Sequence, residues 1–293
     1  MEAMETTPDT DHRHRPGHEQ DHGHGDMTEL LDLDAEVLHD YWTAALDWVR
    51  DGAADSAPSR LADLGAGTGT GAIGLAQRFP AAEVIAVDVK PDSLRLLDER
   101  AARLGLAPRL RSVVTDLDAG WPDLGPLGLT WASMSLHHLA DPAATLGQVL
   151  AATTVGGMMA VAEFPEPLRF LPADLGTGEP GFEERAIEVL DRAHAEEMPT
   201  LGTAWAPRLA DAGWHVVAER DFRVDLRPPG HSQAGRYARA WFSRQAHRLT
   251  DLLAPADGAT LAALLDEAGP YSLLSRQDLH IRGTRTVILA RRG

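Results

Sequence analysis

Between Arg60 and Pro80 the chain reads RLADLGAGTGTGAIGLAQRFP. Leu61, Ala62 and Leu64 form a short apolar run that stops at four alternate glycines, Gly65, Gly67, Gly69 and Gly71, after which a helical pattern begins. The order predicted is strand, tight loop, helix. Glycine suits a loop that turns sharply and lets a ligand approach its backbone, where a Cβ would stand in the way. The first free N–H groups of the following helix face the same space. A nucleotide-like ligand fits such a loop.

The start of the loop decides which nucleotide. Gly69, Gly71 and Gly74 spell G-x-G-x-x-G, but the dinucleotide fingerprint needs a strand running straight into its first glycine. The residues before Gly69 are Asp63-Leu64-Gly65-Ala66-Gly67-Thr68, which cannot form that strand. The loop therefore begins at Gly65, with Asp63 closing the strand. A carboxylate there suits a ligand with positive charge near the loop and repels a pyrophosphate, so Asp-x-Gly-x-Gly-x-Gly favours S-adenosylmethionine over NAD. An NAD(P)-dependent oxidoreductase would need the loop read from Gly69. The chain also lacks a recognisable Tyr-Lys or Cys catalytic pair.

Other ligand classes are limited by composition. The 293 residues, 44% apolar, suffice for a full core, as one large domain or one domain with a cap. There is no cysteine, which removes disulfides, thiolate metal sites and thiolate nucleophiles, and with them Cys-adduct cytosine methylation and thiolate-dependent arsenic methylation. Against 27 basic residues stand 44 acidic ones, a net charge of −17, the wrong sign for a phosphate backbone; no nucleic-acid partner is expected. No apolar run reaches membrane-spanning length and the N-terminus is acidic and His-rich, so no membrane partner and a cytoplasmic location are expected.

Along the chain, residues 1–26 carry His12, His14, His18, His22 and His24 among acidic residues, Gly and Pro. They read as a disordered tail with at most loose metal binding, and no metal site is assigned. Residues 27–58 read as an N-terminal helical segment: from Asp34, Val37, Tyr41, Ala45 and Trp48 recur at helical spacing. Tyr41 and Trp42, being neighbours, cannot both centre one face; one packs on the core and the other lines a pocket. Residues 59–225 read as a core with strands at 61–64, 83–88, 110–115, 129–134, 157–164 and 214–224. Asp88 stands 23 positions after Gly65, near the interval of about 20 at which an acid on the second strand binds ribose hydroxyls. Asp116, or Asp118, is placed to accept an adenine amino group, with Leu117 covering the ring. The fourth strand runs into Ser135-Leu136-His137-His138-Leu139, beside the glycine loop at the topological switch point. Phe182–Glu197 and Thr203–Ala212 read as helices. Residues 226–283 read as a helical insert or cap with two amphipathic helices, and 284–293 as the final strand.

Together these residues resemble the class I S-adenosylmethionine-dependent methyltransferases. The resemblance spans about Leu61 to Val224 plus the final strand. It rests on Asp63-Leu64-Gly65-Ala66-Gly67-Thr68-Gly69, Asp88, Asp116-Leu117, Ser135 to Leu139, and Gly156-Gly157 before the fifth strand. It implies an α/β fold: a Rossmann-like doubly wound sheet of seven strands, the last antiparallel, with S-adenosylmethionine held methionyl end over Gly65 and Gly67. The long insert before the last strand departs from the many members that carry a short hairpin there.

That chemistry makes the other residue types intelligible. Methyl transfer from a sulfonium is an in-line displacement, so alignment supplies much of the rate. Asp63 is suited to hold the cofactor's ammonium. A hydroxyl acceptor needs a base, for which His137, His138 and, at the end of the fifth strand, Glu163 are candidates. The chain lacks the Asp/Asn-Pro-Pro-aromatic sequence of amino methyltransferases that act on nucleic-acid bases, and with the acidic charge this points to a small-molecule acceptor, methylated on oxygen or on nitrogen. Tyr41, Trp42, Glu163 and Arg285 are candidate acceptor contacts, with Arg276 and Arg282 as further carboxylate ligands. A non-catalytic binding or metal-buffering protein of the same fold is the alternative.

Overall fold

A computed structural model describes residues 22–227 and 233–293. The tail histidines His12, His14 and His18 lie outside the described residues. Two helices lead in, α1 (His22–Val37) and α2 (His39–Gly52). The helix expected from Asp34 is therefore two, parted at Leu38, and the first reaches back to His22, inside the stretch expected to be a tail.

The core alternates strand and helix: β1 (Arg60–Leu64), α3 (Thr70–Arg78), β2 (Glu83–Asp88), α4 (Pro91–Arg103), β3 (Leu110–Val114), β4 (Leu127–Ser133), α5 (Pro142–Ala152) and β5 (Thr153–Glu163). Then follow α6 (Phe182–Glu197), α7 (Trp205–Asp211), β6 (His215–Leu226), α8 (Gln233–Leu252), α9 (Pro255–Leu265) and β7 (Ile281–Arg291). The sheet runs β3-β2-β1-β4-β5-β7-β6. Strands β1 to β5 pair in parallel, and β7 lies antiparallel between β5 and β6. Seven strands with the last antiparallel is the architecture expected from the sequence. β5 and β7 both begin before their expected starts, β5 where Thr153 pairs with Leu127 of β4 and β7 where Ile281 pairs with Leu226 of β6.

Alternation along the strands divides the core in two. Leu61, Val84, Leu129, Trp131 and Met158 pack under α2, α3 and α4. Ala62, Leu64, Ile85, Val87 and Val161 face the opposite way, onto Leu146 and Val149 of α5 and Trp205 and Leu209 of α7. Both faces are covered, which is why the strands read as continuous apolar runs. Helix α5 starts as its sequence predicts: Asp141 accepts the N–H of Ala144 at 3.0 Å and Pro142 follows, a cap of about 1 kcal/mol. Helix α8 packs against α1, α6 and α9, and α9 also against α6. Among the described residues no helix is long and apolar enough to cross a membrane.

Candidate functional site

β1 enters the loop that follows it through three left-handed glycines, Gly65, Gly67 and Gly69, with φ of 70°, 51° and 95°. Gly65 is the most constrained, since a Cβ there would fall 2.3 Å from Ser135 Cβ. Ser135 in turn donates its hydroxyl to the Leu64 carbonyl at 2.7 Å, holding the end of β4 against the end of β1. The loop is tied to β2 by the N–H groups of Gly65 and Ala66, both donating to the Val87 carbonyl. Asp88 ends β2 with one carboxylate oxygen accepting the Gly67 N–H and the other the Lys90 N–H, each at 2.8 Å.

Over this loop lies a cavity of about 430 Å³, within the usual range of about 300–1,000 Å³ for small-molecule sites. Its wall takes in Asp63, Gly65, Gly67, Asp88, Asp116, Leu117, Ser135, His138 and Trp42. The candidate acids are thus brought together from the ends of three strands. Asp118 also lines the cavity, and its carboxylate accepts the Ala140 N–H at 2.9 Å. Helix α1 roofs the cavity with Met27, Leu31 and Asp34, and α8 adds Arg244. Asp32 fastens the roof, accepting from the Thr68 hydroxyl at 2.9 Å and from Arg100 at 2.8 Å.

Three residues of the cavity wall, Ser133 among them, carry a buried polar atom without a partner, and two of these atoms stand on neighbouring strands: Asp63 Oδ2 and Trp131 Nε1. The two residues are register partners on the neighbouring strands β1 and β4. A Cβ placed on Gly71 would stand 2.7 Å from each atom, so glycine keeps the space beside them open. An acceptor and a donor left unpaired at one point cost about 1–3 kcal/mol each. Such a pair fits a ligand that brings both a donor and an acceptor, as an amino acid's ammonium and carboxylate do.

The two histidines part company. His137 is buried, and its Nδ1 lies 2.7 Å from Glu163 Oε2. His138 stacks on it with ring centroids 4.2 Å apart and lines the cavity. Although part of the His138 ring faces solvent, desolvation by the wall holds its basicity below the ordinary imidazole range, helped by the charges of His137, Arg244, Lys90 and His194. His138 is therefore neutral near pH 7.

Tyr41 and Trp42 are both buried, but only Trp42 lines the cavity; Tyr41 packs edge-on to Phe222 with centroids 5.9 Å apart. Of the three arginines, Arg276 pairs with Asp278 at 2.7 Å, and Arg282 donates to the Leu171 carbonyl at 3.0 Å; neither lines the cavity. Arg285 is buried and donates to Asp34 at 3.1 Å. Asp34 is a hub missed from sequence: it also accepts from Trp42 Nε1 at 3.0 Å and from the Tyr237 hydroxyl at 2.5 Å. Asp34→Ala strands a buried guanidinium and is expected to lower stability by about 3–5 kcal/mol, read as a lower urea midpoint. The double variant Asp34→Ala/Arg285→Met should recover most of that loss.

Trp131, Met134 and Asp34 are among the wall residues to which the sequence does not point. Trp131 had a signal, since it sits in the strand bordering Asp63, but only the parallel register puts the two side by side. Among the described residues no group of His, Asp and Glu could hold a metal ion.

Residues 62–159 match the family model of a methyltransferase domain. The demethylmenaquinone methyltransferase of Thermus thermophilus is 34% identical over 127 residues, 42% of this chain and 57% of that protein. The trans-aconitate 2-methyltransferase of Methylobacterium radiotolerans is 31% identical over 175 residues, 53% of this chain and 65% of that protein. The chain thus spans between half and two thirds of these relatives. Among solved structures, the YcgJ protein of Bacillus subtilis superposes with a TM-score of 0.51 at 15% identity, covering 85% of this chain and 98% of that one. A geranyl diphosphate methyltransferase in complex with S-adenosylmethionine gives 0.50 at 17% identity, covering 90% of each. At such identities the likeness is one of fold. The match over residues 62–159 is thus to a methyltransferase domain, and with these relatives it supports a class I S-adenosylmethionine-dependent methyltransferase.

The site fits that cofactor on its own features. The unpaired Asp63 and Trp131 would take the methionyl ammonium and carboxylate, Asp88 the ribose, and Asp116 with Leu117 the adenine. Asp63 carries a consequence for pH. Its carboxyl is pushed up to about 7 by burial, with the charge of Asp88 adding and the Ala72 N–H opposing. A cation docking on it favours the ionised form, so below about pH 7 binding must expel a proton. Affinity for S-adenosylmethionine is expected to fall by up to about tenfold per pH unit below 7. Calorimetry in two buffers of different ionisation enthalpy should detect the released proton near pH 6 and none near pH 8.5.

Proposed function

We propose that the chain transfers a methyl group from S-adenosylmethionine to a small-molecule acceptor, and that the acceptor atom is a hydroxyl oxygen. The observation that carries the proposal is the pair of unpartnered buried atoms, Asp63 Oδ2 and Trp131 Nε1, facing one open point in a cavity roofed by α1. When bound, the cofactor supplies an electrophilic methyl on a sulfonium and leaves as a neutral thioether. The protein's part is to hold the acceptor in line, exclude water and take a proton.

Proton acceptance falls to the His137–Glu163 pair. A carboxylate 2.7 Å from Nδ1 orients the imidazole, the usual device for positioning a general base. His138, weakly basic, serves as cavity wall. Strand geometry supports the pairing: β4 and β5 are parallel neighbours, and His137 and Glu163 stand just past and at their carboxyl ends. The net charge and the methylated substrates named for the relatives, a menaquinone precursor and trans-aconitate, support a small molecule over a nucleic acid. A panel of hydroxyl, amine and carboxylic acid acceptors, read by mass for a gain of one methylene, tests the proposal. Methylation of hydroxyls that Glu163→Gln slows is the expected result. Turnover of amines alone would refute the assignment of oxygen.

A further inference from the structure

Beyond the inner wall of the cavity stands a second polar group with unmet hydrogen-bonding capacity. Tyr41 Oη on α2, Glu163 Oε1 on β5 and Arg285 Nε on β7 are all buried without a partner, in residues 8%, 5% and 5% exposed. They share a neighbourhood: the Tyr41 ring packs on Phe222, the register partner of Arg285, and the charges of Arg285 and Glu163 both act on Tyr41. The other side-chain polar atoms of Glu163 and Arg285 have partners. Glu163 Oε2 faces His137, while the Arg285 terminal nitrogens meet Asp34 Oδ2 at 3.1 Å and Met134 Sδ at 2.9 Å. The atoms with no partner at all are one guanidinium Nε, one carboxylate oxygen and one phenol oxygen.

Met134 separates this group from the cavity. It lines the cavity, touches Arg285, and holds a φ of 51°, a left-handed conformation that costs a non-glycine residue about 1–3 kcal/mol. Its unbranched side chain repacks readily. Asp34 and Trp42 likewise present one side to the cavity while Asp34 holds Arg285.

We propose that Tyr41, Arg285 and Glu163 form the acceptor-recognition subsite, and that the acceptor it takes is uncharged and carries a carbonyl oxygen in addition to its hydroxyl. The carbonyl accepts from Arg285 Nε–H and the Tyr41 O–H, and the hydroxyl donates to Glu163 Oε1. Charge excludes a carboxylate in the same place: the Arg285 guanidinium is already matched by Asp34, and a further anion would meet two carboxylates and one cation. This inference rests on the methyltransferase reading, but it concerns binding and is tested apart from turnover.

The test is calorimetric titration of the full chain saturated with S-adenosylhomocysteine. The probes are 2′-, 3′- and 4′-hydroxyacetophenone, which set the two groups at three separations, with phenol and acetophenone as single-group controls and 3-hydroxybenzoate as the charged one. One hydroxyacetophenone isomer is expected to bind about tenfold tighter than every control, since a buried group left unpaired by a control forfeits about 1–3 kcal/mol. Tyr41→Phe should erase its advantage over phenol, and Glu163→Gln its advantage over acetophenone. Tyr41→Phe keeps the ring, so its urea midpoint guards against a folding artefact. Equal binding of all probes, preference for the benzoate, or no probe binding while S-adenosylhomocysteine binds would overturn the subsite alone. Failure of S-adenosylhomocysteine to bind would instead overturn the reading beneath it.

Discussion

Asp88→Ala is expected to weaken S-adenosylmethionine binding by about 10²–10⁴-fold, the largest effect on affinity of any single change in the site. Its carboxylate stands at the end of β2, and each oxygen accepts only one backbone N–H, from Gly67 or Lys90. Every carboxylate oxygen has a second lone pair to offer, so both remain available to ribose hydroxyls. Hydrogen bonds to a charged group contribute about 1.5–3 kcal/mol each, and losing two accounts for the expected factor. Part of the loss comes through the loop, because the same carboxylate holds Gly67. Asp88→Asn separates the two contributions: it keeps one acceptor oxygen toward the loop and should recover part of the affinity. Equilibrium titration of the three proteins under identical salt and pH checks this.

The second large effect is on turnover. His137→Ala should lower kcat toward a hydroxyl acceptor by about 10²–10⁴-fold, the usual contribution of a positioned general base, with cofactor affinity unchanged because His137 does not line the cofactor cavity. Glu163→Gln should come next, since the imidazole remains while the carboxylate that orients it and takes the acceptor hydroxyl's hydrogen bond is lost. His138→Ala should cost least, its weakly basic ring being wall rather than proton acceptor. The ordering is measured as kcat at saturating cofactor, with rate against pH for each variant. If His138→Ala proved the most damaging, the roles of the two imidazoles would have to be exchanged.

The parts of this molecule that could be read from sequence are those whose cause is local. The helix at Phe182–Glu197 appears with the bounds its periodicity predicts, and the glycine loop, Asp88 and Asp116 lie around one cavity because each follows its own strand end. Contacts made by chain folding were not legible. Leu31 approaches Gly67 closely enough that a Cβ on the glycine would stand 3.0 Å away, yet nothing in the spacing of α1 says it roofs the loop. Arg285 reads as a solvent-facing arginine on a terminal strand; its partner Asp34 lies 251 positions earlier, and burial of the pair depends on α1, α8 and β7 meeting. The pairing of Asp63 with Trp131 required the parallel register of β1 with β4, which periodicity does not specify. Likewise His137 and His138 are neighbours in sequence with the same residue type, and only the fold turns one toward Glu163 and the other toward the cavity.

The space over Gly65 to Gly71 is built for S-adenosylmethionine. Calorimetric titration of the purified chain with S-adenosylhomocysteine and, separately, with NADH tests it most directly. Micromolar one-site binding of the first, weakened by Asp88→Ala, with no heat from NADH, is the predicted result. Binding of NADH alone, or of neither nucleotide, would contradict it, the latter leaving a methyltransferase fold that serves as a binding protein.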